Sequence, residues 1–215
     1  MKNSKSKYSV ITGDVVSSSE HPGYGEVLDD VFRLFEKHYE AYLPLKVDRF
    51  SGDTFQLLLT KPSLSLEASL YLFTRLASAD EPVPVRLSIG YGTIAGIPEE
   101  RVSIGEGEAF RISGSRLESM EKYQRIFFDT TNGLMDRTNR GLIKGALDLL
   151  SALLMDLTRA QAEVIWYKLR GYTQVEIAEA TDRSQQTVSE ISIAGHWRNL
   201  ESLLFVFEKQ FGRSS

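Results

Sequence analysis

A chain of 215 residues with 42% apolar and 25% charged residues has material for a real core, as one large domain or as a medium domain plus a small one. Its formal charge of −4 gives no whole-chain attraction to nucleic acid, so any such contact must come from a local element. Zero cysteines exclude disulfides, thiolate metal sites and a cysteine nucleophile, and fit a reducing compartment.

The basic start, Met1-Lys2-Asn3-Ser4-Lys5-Ser6-Lys7, is followed by a run too short and too quickly polar for a signal peptide. No segment is apolar for long enough to span a bilayer, so a cytoplasmic protein with no membrane partner is expected. Tyr8-Ser9-Val10-Ile11-Thr12 reads as a strand that ends at Gly13-Asp14, ahead of a loop through His21-Pro22-Gly23. From Gly25 to Tyr42 the apolar positions Val27, Leu28, Val31, Phe32, Leu34, Phe35 and Tyr39 recur at helical spacing until Pro44 stops the run.

Asp48-Arg49-Phe50-Ser51-Gly52-Asp53-Thr54-Phe55 and the leucines after it read as a β-hairpin turning at Gly52-Asp53, with Gly52 supplying the φ freedom of a tight turn. Ser63 or Ser65 is a candidate cap for a helix carrying Leu66, Leu70, Phe73, Leu76 and Ala77. Val85 to Ile94 alternates as a central strand with Gly90 and Gly92 at crowded positions. Gly105-Glu106-Gly107-Glu108 opens a helix through Phe110, Ile112, Leu117 and Met120, and Arg125-Ile126-Phe127-Phe128-Asp129 is a final strand. The order β-α-β-β-α-β, then α-β, predicts an α+β fold with a ferredoxin-like sheet and helices on one face. Thr130, Thr131 or Asn132 is a candidate cap for the next helix, and the apolar run Leu142 to Leu157 is read as the connector within 132–156. The first domain is thus placed at 1–131 and the second at 157–215.

The second domain carries explicit helix punctuation. Thr158 caps a first helix that ends at Gly171, Thr173 caps a second, and Ser184 caps a third after the turn at Thr181-Asp182-Arg183. Ile177, Ala178, Val188 and Ile191 are the small and branched residues that two crossing helices need. This is the order of a helix-turn-helix, with Gln185, Gln186, Thr187 and Ser189 facing outward. Gln and Thr side chains suit base edges or phosphates, and Arg183 sits where a DNA backbone contact is expected. Thr173, Gln174 and Ser184 complete the residues expected to meet DNA. Lys and Arg in this segment are balanced by Asp and Glu, which equally suits a helical interaction module. The apolar positions Leu200, Leu203, Leu204, Phe205, Phe207 and Phe211 predict a terminal helix packed on another domain or subunit, and a homodimer would suit paired half-sites.

Val10-Ile11-Thr12-Gly13-Asp14-Val15-Val16, Arg49-Phe50-Ser51-Gly52-Asp53-Thr54-Phe55, Val85 to Gly92, and Gly107-Glu108-Ala109-Phe110-Arg111 with Arg116-Leu117-Glu118 together resemble the class III nucleotidyl cyclase fold, and within it the SatD-like family. The resemblance implies that Asp14 and Asp53 hold Mg2+ or Mn2+ with a nucleotide, and that Arg49, Arg111 and Arg116 contact that nucleotide. It departs from the cyclases in the transition-state pair, where Arg111 falls near the Asn position and Arg116 is one residue out of step. It departs also in the base pocket, where Arg49 replaces a Lys and Ile104 or Gly105 its carboxylate partner. No residue is therefore assigned a catalytic role. The segment from Leu157 to Ser189 is similar to the helix-turn-helix of sigma-factor region 4, whose Leu-Thr, Gly-Tyr-Thr-Gln, Glu-Ile-Ala and Ser-x-x-Thr-Val pattern is almost complete. The combined expectation is a DNA-binding transcriptional regulator with a sensor or dimerisation domain. The alternative is a metal-dependent nucleotide-binding or cyclase-like enzyme with a helical docking module.

Overall fold

Alternation along Tyr8–Val15 (β1) sends Ile11 and Val15 to one side of the strand and Val10, Thr12 and Asp14 to the other, as a period of two requires. The computed structural model describes residues 6–21, 23–131 and 133–212, and in it β1 is the middle of a five-stranded sheet. The other strands are Asp48–Ser51 (β2), Thr54–Leu59 (β3), Val85–Gly92 (β4) and Ile126–Thr130 (β5), in the order β2-β3-β1-β4-β5. β1 is antiparallel to both β3 and β4, β2 is antiparallel to β3, and β4 is parallel to β5. The first four strands take the expected ferredoxin-like order. The strand expected to end at Gly13-Asp14 runs one residue further, to Val15, with Gly13 and Asp14 in register with Phe55 and Thr54.

Tyr24–His38 (α1) and Ser65–Ala77 (α2) cover one face, where Leu28, Phe35, Leu66 and Leu70 pack with Ile11, Leu57, Leu87 and Ile89. Glu108–Glu118 (α3) covers the other, with Ala109 and Phe110 against Val10 and Leu58. The expectation of helices on one face is corrected here. A parallel β4–β5 pair needs a crossover, and the small residues Ser88 and Gly90 let α3 make it against the second face. The approach is closest at Gly90, where a Cβ would lie 2.2 Å from the Ala109 carbonyl oxygen.

Several boundaries also move. α1 stops at His38 and a short 3-10 turn over Glu40–Tyr42 precedes Pro44. Neither Ser63 nor Ser65 caps α2; both hydroxyls are buried without a partner among the described residues, and a 3-10 turn at Pro62–Leu64 leads into the helix. Arg137–Met155 (α4) is capped by Asp136, which accepts from the Asn139 N–H at 3.0 Å, and not by Thr130 or Thr131. Asn132 and Pro22, with Met1 to Lys5, lie outside the described residues.

α4 is more than a tether, since Leu147, Leu150 and Leu154 enter the main core and the Arg125 N–H donates to Ser151 Oγ at 2.9 Å. Arg159–Leu169 (α5) lays Ile165 and Trp166 on the same core beside α2. Gln174–Thr181 (α6), Gln185–Ala194 (α7) and Trp197–Phe211 (α8) complete the chain. The apolar face of α8 packs within this chain, with Phe207 and Phe211 rings 5.2 and 4.8 Å from Phe128. Among the described residues no helix is long and apolar enough to cross a membrane.

Candidate functional site

Two regions carry the expected site residues: the Asp14 end of the sheet and the α6–α7 pair. In the first, Gly52 has φ +63 and the two-residue turn Gly52-Asp53 joins Ser51 to Thr54, as the hairpin reading expects. Asp14 and Asp53 lie at the same end of the sheet, since Asp14 is opposite Thr54 and the Val15 N–H donates to the Asp53 carbonyl at 3.2 Å. Each carboxylate has its own partner. Arg86 Nε donates to Asp14 Oδ1 at 3.1 Å and its Nη2 bonds Oδ2, while Ser18 Oγ donates to Asp53 Oδ2 at 2.8 Å. A cation at Asp14 would compete with the Arg86 guanidinium for the carboxylate. Among the described residues no group of three or more His, Asp or Glu side chains converges to hold a metal ion.

The three arginines assigned to a nucleotide do not converge. Arg49, on the edge strand β2, reaches Asp29 and the Gly25 carbonyl of α1 at 3.3 and 3.2 Å. Arg116 at the end of α3 is paired with Asp129 of β5, its Nε donating at 2.7 Å, and Arg140 grips the other oxygen of the same carboxylate. Arg111 is the one left facing an open cleft, of about 580 Å³, beside Gln56, Ser103 and Glu106. Glu108 in that cleft accepts from Thr93 Oγ1 at 2.7 Å, which holds its carboxyl below the usual carboxylate range.

Sequence reasoning missed Arg86 and Asp129. Each had a signal: a charged residue inside an apolar strand needs a compensating partner when the strand is interior. It missed also the buried chain under α3, in which Gln56 Nε2 donates to Thr12 Oγ1, Thr12 to Ser113 Oγ, and Ser113 to the Phe110 carbonyl. Of these bonds, at 2.8, 2.8 and 3.0 Å, the one from Thr12 to Ser113 ties α3 to the sheet, while the first joins β3 to β1 and the last lies within α3.

In the second region the punctuation expected from the residues is present. Thr158 and Thr173 form capping boxes with Gln161 and Glu176, and Ser184 Oγ accepts from the Thr187 N–H at 3.0 Å. The Thr173 N–H, donating at 2.8 Å, holds the Glu176 carboxyl below its usual value. α6 ends at Asp182, whose φ of +50 turns the chain into α7. Val164, Ile177, Ala178 and Val188 form a buried cluster with Ile191 against it, so α5, α6 and α7 share a small core.

This packing sorts the residues expected to meet DNA. Gln174, Gln185, Gln186 and Thr187 are exposed and Ser189 is half-buried. The hydroxyls of Thr173 and Ser184 are engaged in capping, and Gln186 Nε2 donates to Glu190 at 3.0 Å. Arg183 departs most from expectation: its guanidinium is turned inward onto Glu163 of α5 at 2.6 Å.

No family model and no curated protein matches the chain. Among solved structures it is similar to a bacterial light-regulated adenylyl cyclase at 16% identity and a TM-score of 0.41, over 56% of this chain and 74% of that one. A second structure of a bacterial light-regulated adenylyl cyclase is 18% identical with a TM-score of 0.41, over 56% of this chain and 42% of the other.

Proposed function

We propose that the chain is a DNA-binding transcriptional regulator, in which α7 enters the major groove and the sheet with its helices serves as the sensor or dimerisation unit. One observation carries this reading: Gln185, Gln186 and Thr187 are exposed on the first turn of α7 while Val188 is fully buried beneath them. A helix anchored by its underside and offering amide and hydroxyl groups on its leading turn has the chemistry of base-edge readout. A second copy of the chain is the expected partner, since α4 and α8 expose Leu142, Leu149, Phe205 and Val206, each 60% accessible or more. Two-fold pairing would present two α7 helices at a fixed spacing, which suits paired half-sites.

A nucleotide with Mg2+ or Mn2+ at Asp14 and Asp53 would be the effector on this reading, and its binding would have to release Asp14 from Arg86. The enzyme reading has less support, because Asp14 and Arg116 are both committed to ion pairs of their own.

Retention of genomic DNA fragments by the full chain tests the proposal, with Gln186→Ala and Thr187→Ala as variants. Wild type retains a subset of fragments at physiological salt and the variants lose that selectivity. Equal retention by wild type and variants would remove α7 from the recognition role.

A further inference from the structure

Arg183, expected to make the backbone contact of the recognition element, is engaged by Glu163, and phosphate contacts supply a large share of the affinity of proteins for DNA. Other cations must meet the phosphates if α7 is to sit in the groove. A depression of about 570 Å³ runs beside α7, between the end of α5, the start of α6 and the start of α8. Gln174 and Ser189, both among the residues expected to meet DNA, line it together with Lys168, His196 and Arg198.

We propose that this depression seats one DNA backbone strand, with Lys168 and Arg198 supplying the phosphate contacts. The inference rests on the DNA-binding reading of α7 and adds to it the route of the sugar-phosphate chain. Lys168 makes no ion pair among the described residues, and Arg198 is exposed in the first turn of α8. His196 enters that turn at φ +56, its side chain caps nothing among the described residues, and His196, Trp197, Arg198 and Asn199 at the N-terminal end of the fifteen-residue α8 line the depression. The first N–H groups of a helix lack intrahelical acceptors and its dipole favours an anion there, which adds to the two side-chain charges. Glu201 also lines the depression and opposes the anion. Two cations and a helix terminus outweigh one carboxylate.

The test is the salt dependence of binding to mixed-sequence duplex DNA by the full chain, with Lys168→Ala, Arg198→Ala and the double variant. Each lost phosphate contact lowers the slope of log affinity against log salt by about 1, and the double variant lowers it by about 2. Lys168→Arg retains the wild-type slope, which separates charge from packing, and Arg33→Ala, at a residue of α1 that does not line the depression, leaves it unchanged. Wild-type slopes in both alanine variants would overturn the inference while leaving α7 in place. Failure of wild type to bind the duplex at any salt would remove the DNA-binding reading and this inference together.

Discussion

Asp14 and Arg86 stand directly opposite each other on β1 and β4, and the guanidinium takes both oxygens of the carboxylate. Their side chains are 19% and 26% exposed, so neither charge is fully hydrated and each depends on the other. Arg86 also reaches the Met120 carbonyl just past α3 at 3.5 Å, which ties that end of α3 to the sheet.

Loss of one partner from this pair leaves a partly buried charge. Arg86→Ala is expected to lower stability by about 2 kcal/mol, and Asp14→Asn in the same background to recover part of it. Urea unfolding midpoints of the single and double variants measure both effects. Competition between Arg86 and a cation for Asp14 predicts that Arg86→Ala gains more in Tm from Mn2+ with a nucleoside triphosphate than wild type does. Equal responses would take Asp14 out of the ligand set.

Gly90 marks where α3 meets the sheet most closely. An added Cβ would meet the Ala109 carbonyl oxygen at 2.2 Å and the Ser113 nitrogen at 2.6 Å, both backbone atoms that cannot swing away. Gly90→Ala should therefore cost about 2 to 3 kcal/mol and disturb the Thr12–Ser113 bond, whereas Gly114→Ala, with nothing within 4 Å, should not destabilise the fold. Thermal unfolding of the two variants decides this.

Glu67 gives the protein a pH dependence with a definite sign. Burial raises its carboxyl above the ordinary value, more than the Tyr39 hydroxyl, donating at 3.0 Å, brings it down, and Glu208 adds to the rise. The folded chain thus holds this proton more tightly than the unfolded chain. The contribution of Glu67 to stability is present below the ordinary carboxylate value and is lost as the pH rises through the raised one. Glu67→Gln keeps an acceptor for Tyr39 and removes the charge, so its stability relative to wild type should improve between about pH 4 and about pH 7. A constant difference between the two proteins across that range would contradict the account.

The capping boxes give a local test of the C-terminal helices. Thr158→Ala removes the oxygen that accepts from the Gln161 N–H and should cost about 1 kcal/mol, measured as a fall in Tm. Gln186→Ala, on the exposed side of α7, should leave stability within about 0.5 kcal/mol of wild type, so that any loss of DNA retention in it is a loss of contact.

The features readable from the residues alone lie at short range. Thr158, Thr173 and Ser184 each bond an N–H three residues on, Gly52 supplies the left-handed turn of the hairpin, and the apolar spacing of α1 selects the face it buries. Such interactions are written in neighbouring residues and need no knowledge of the rest of the chain. The side on which α3 packs and the partners of the charged residues emerge only when the whole chain is folded. Asp14 and Arg86 are 72 positions apart, Arg183 and Glu163 are 20 apart, and which carboxylate an arginine meets depends on strand order and helix crossing. For that reason Asp14 and Arg183 were legible as charged groups at special positions, while the ion pairs that hold them were not.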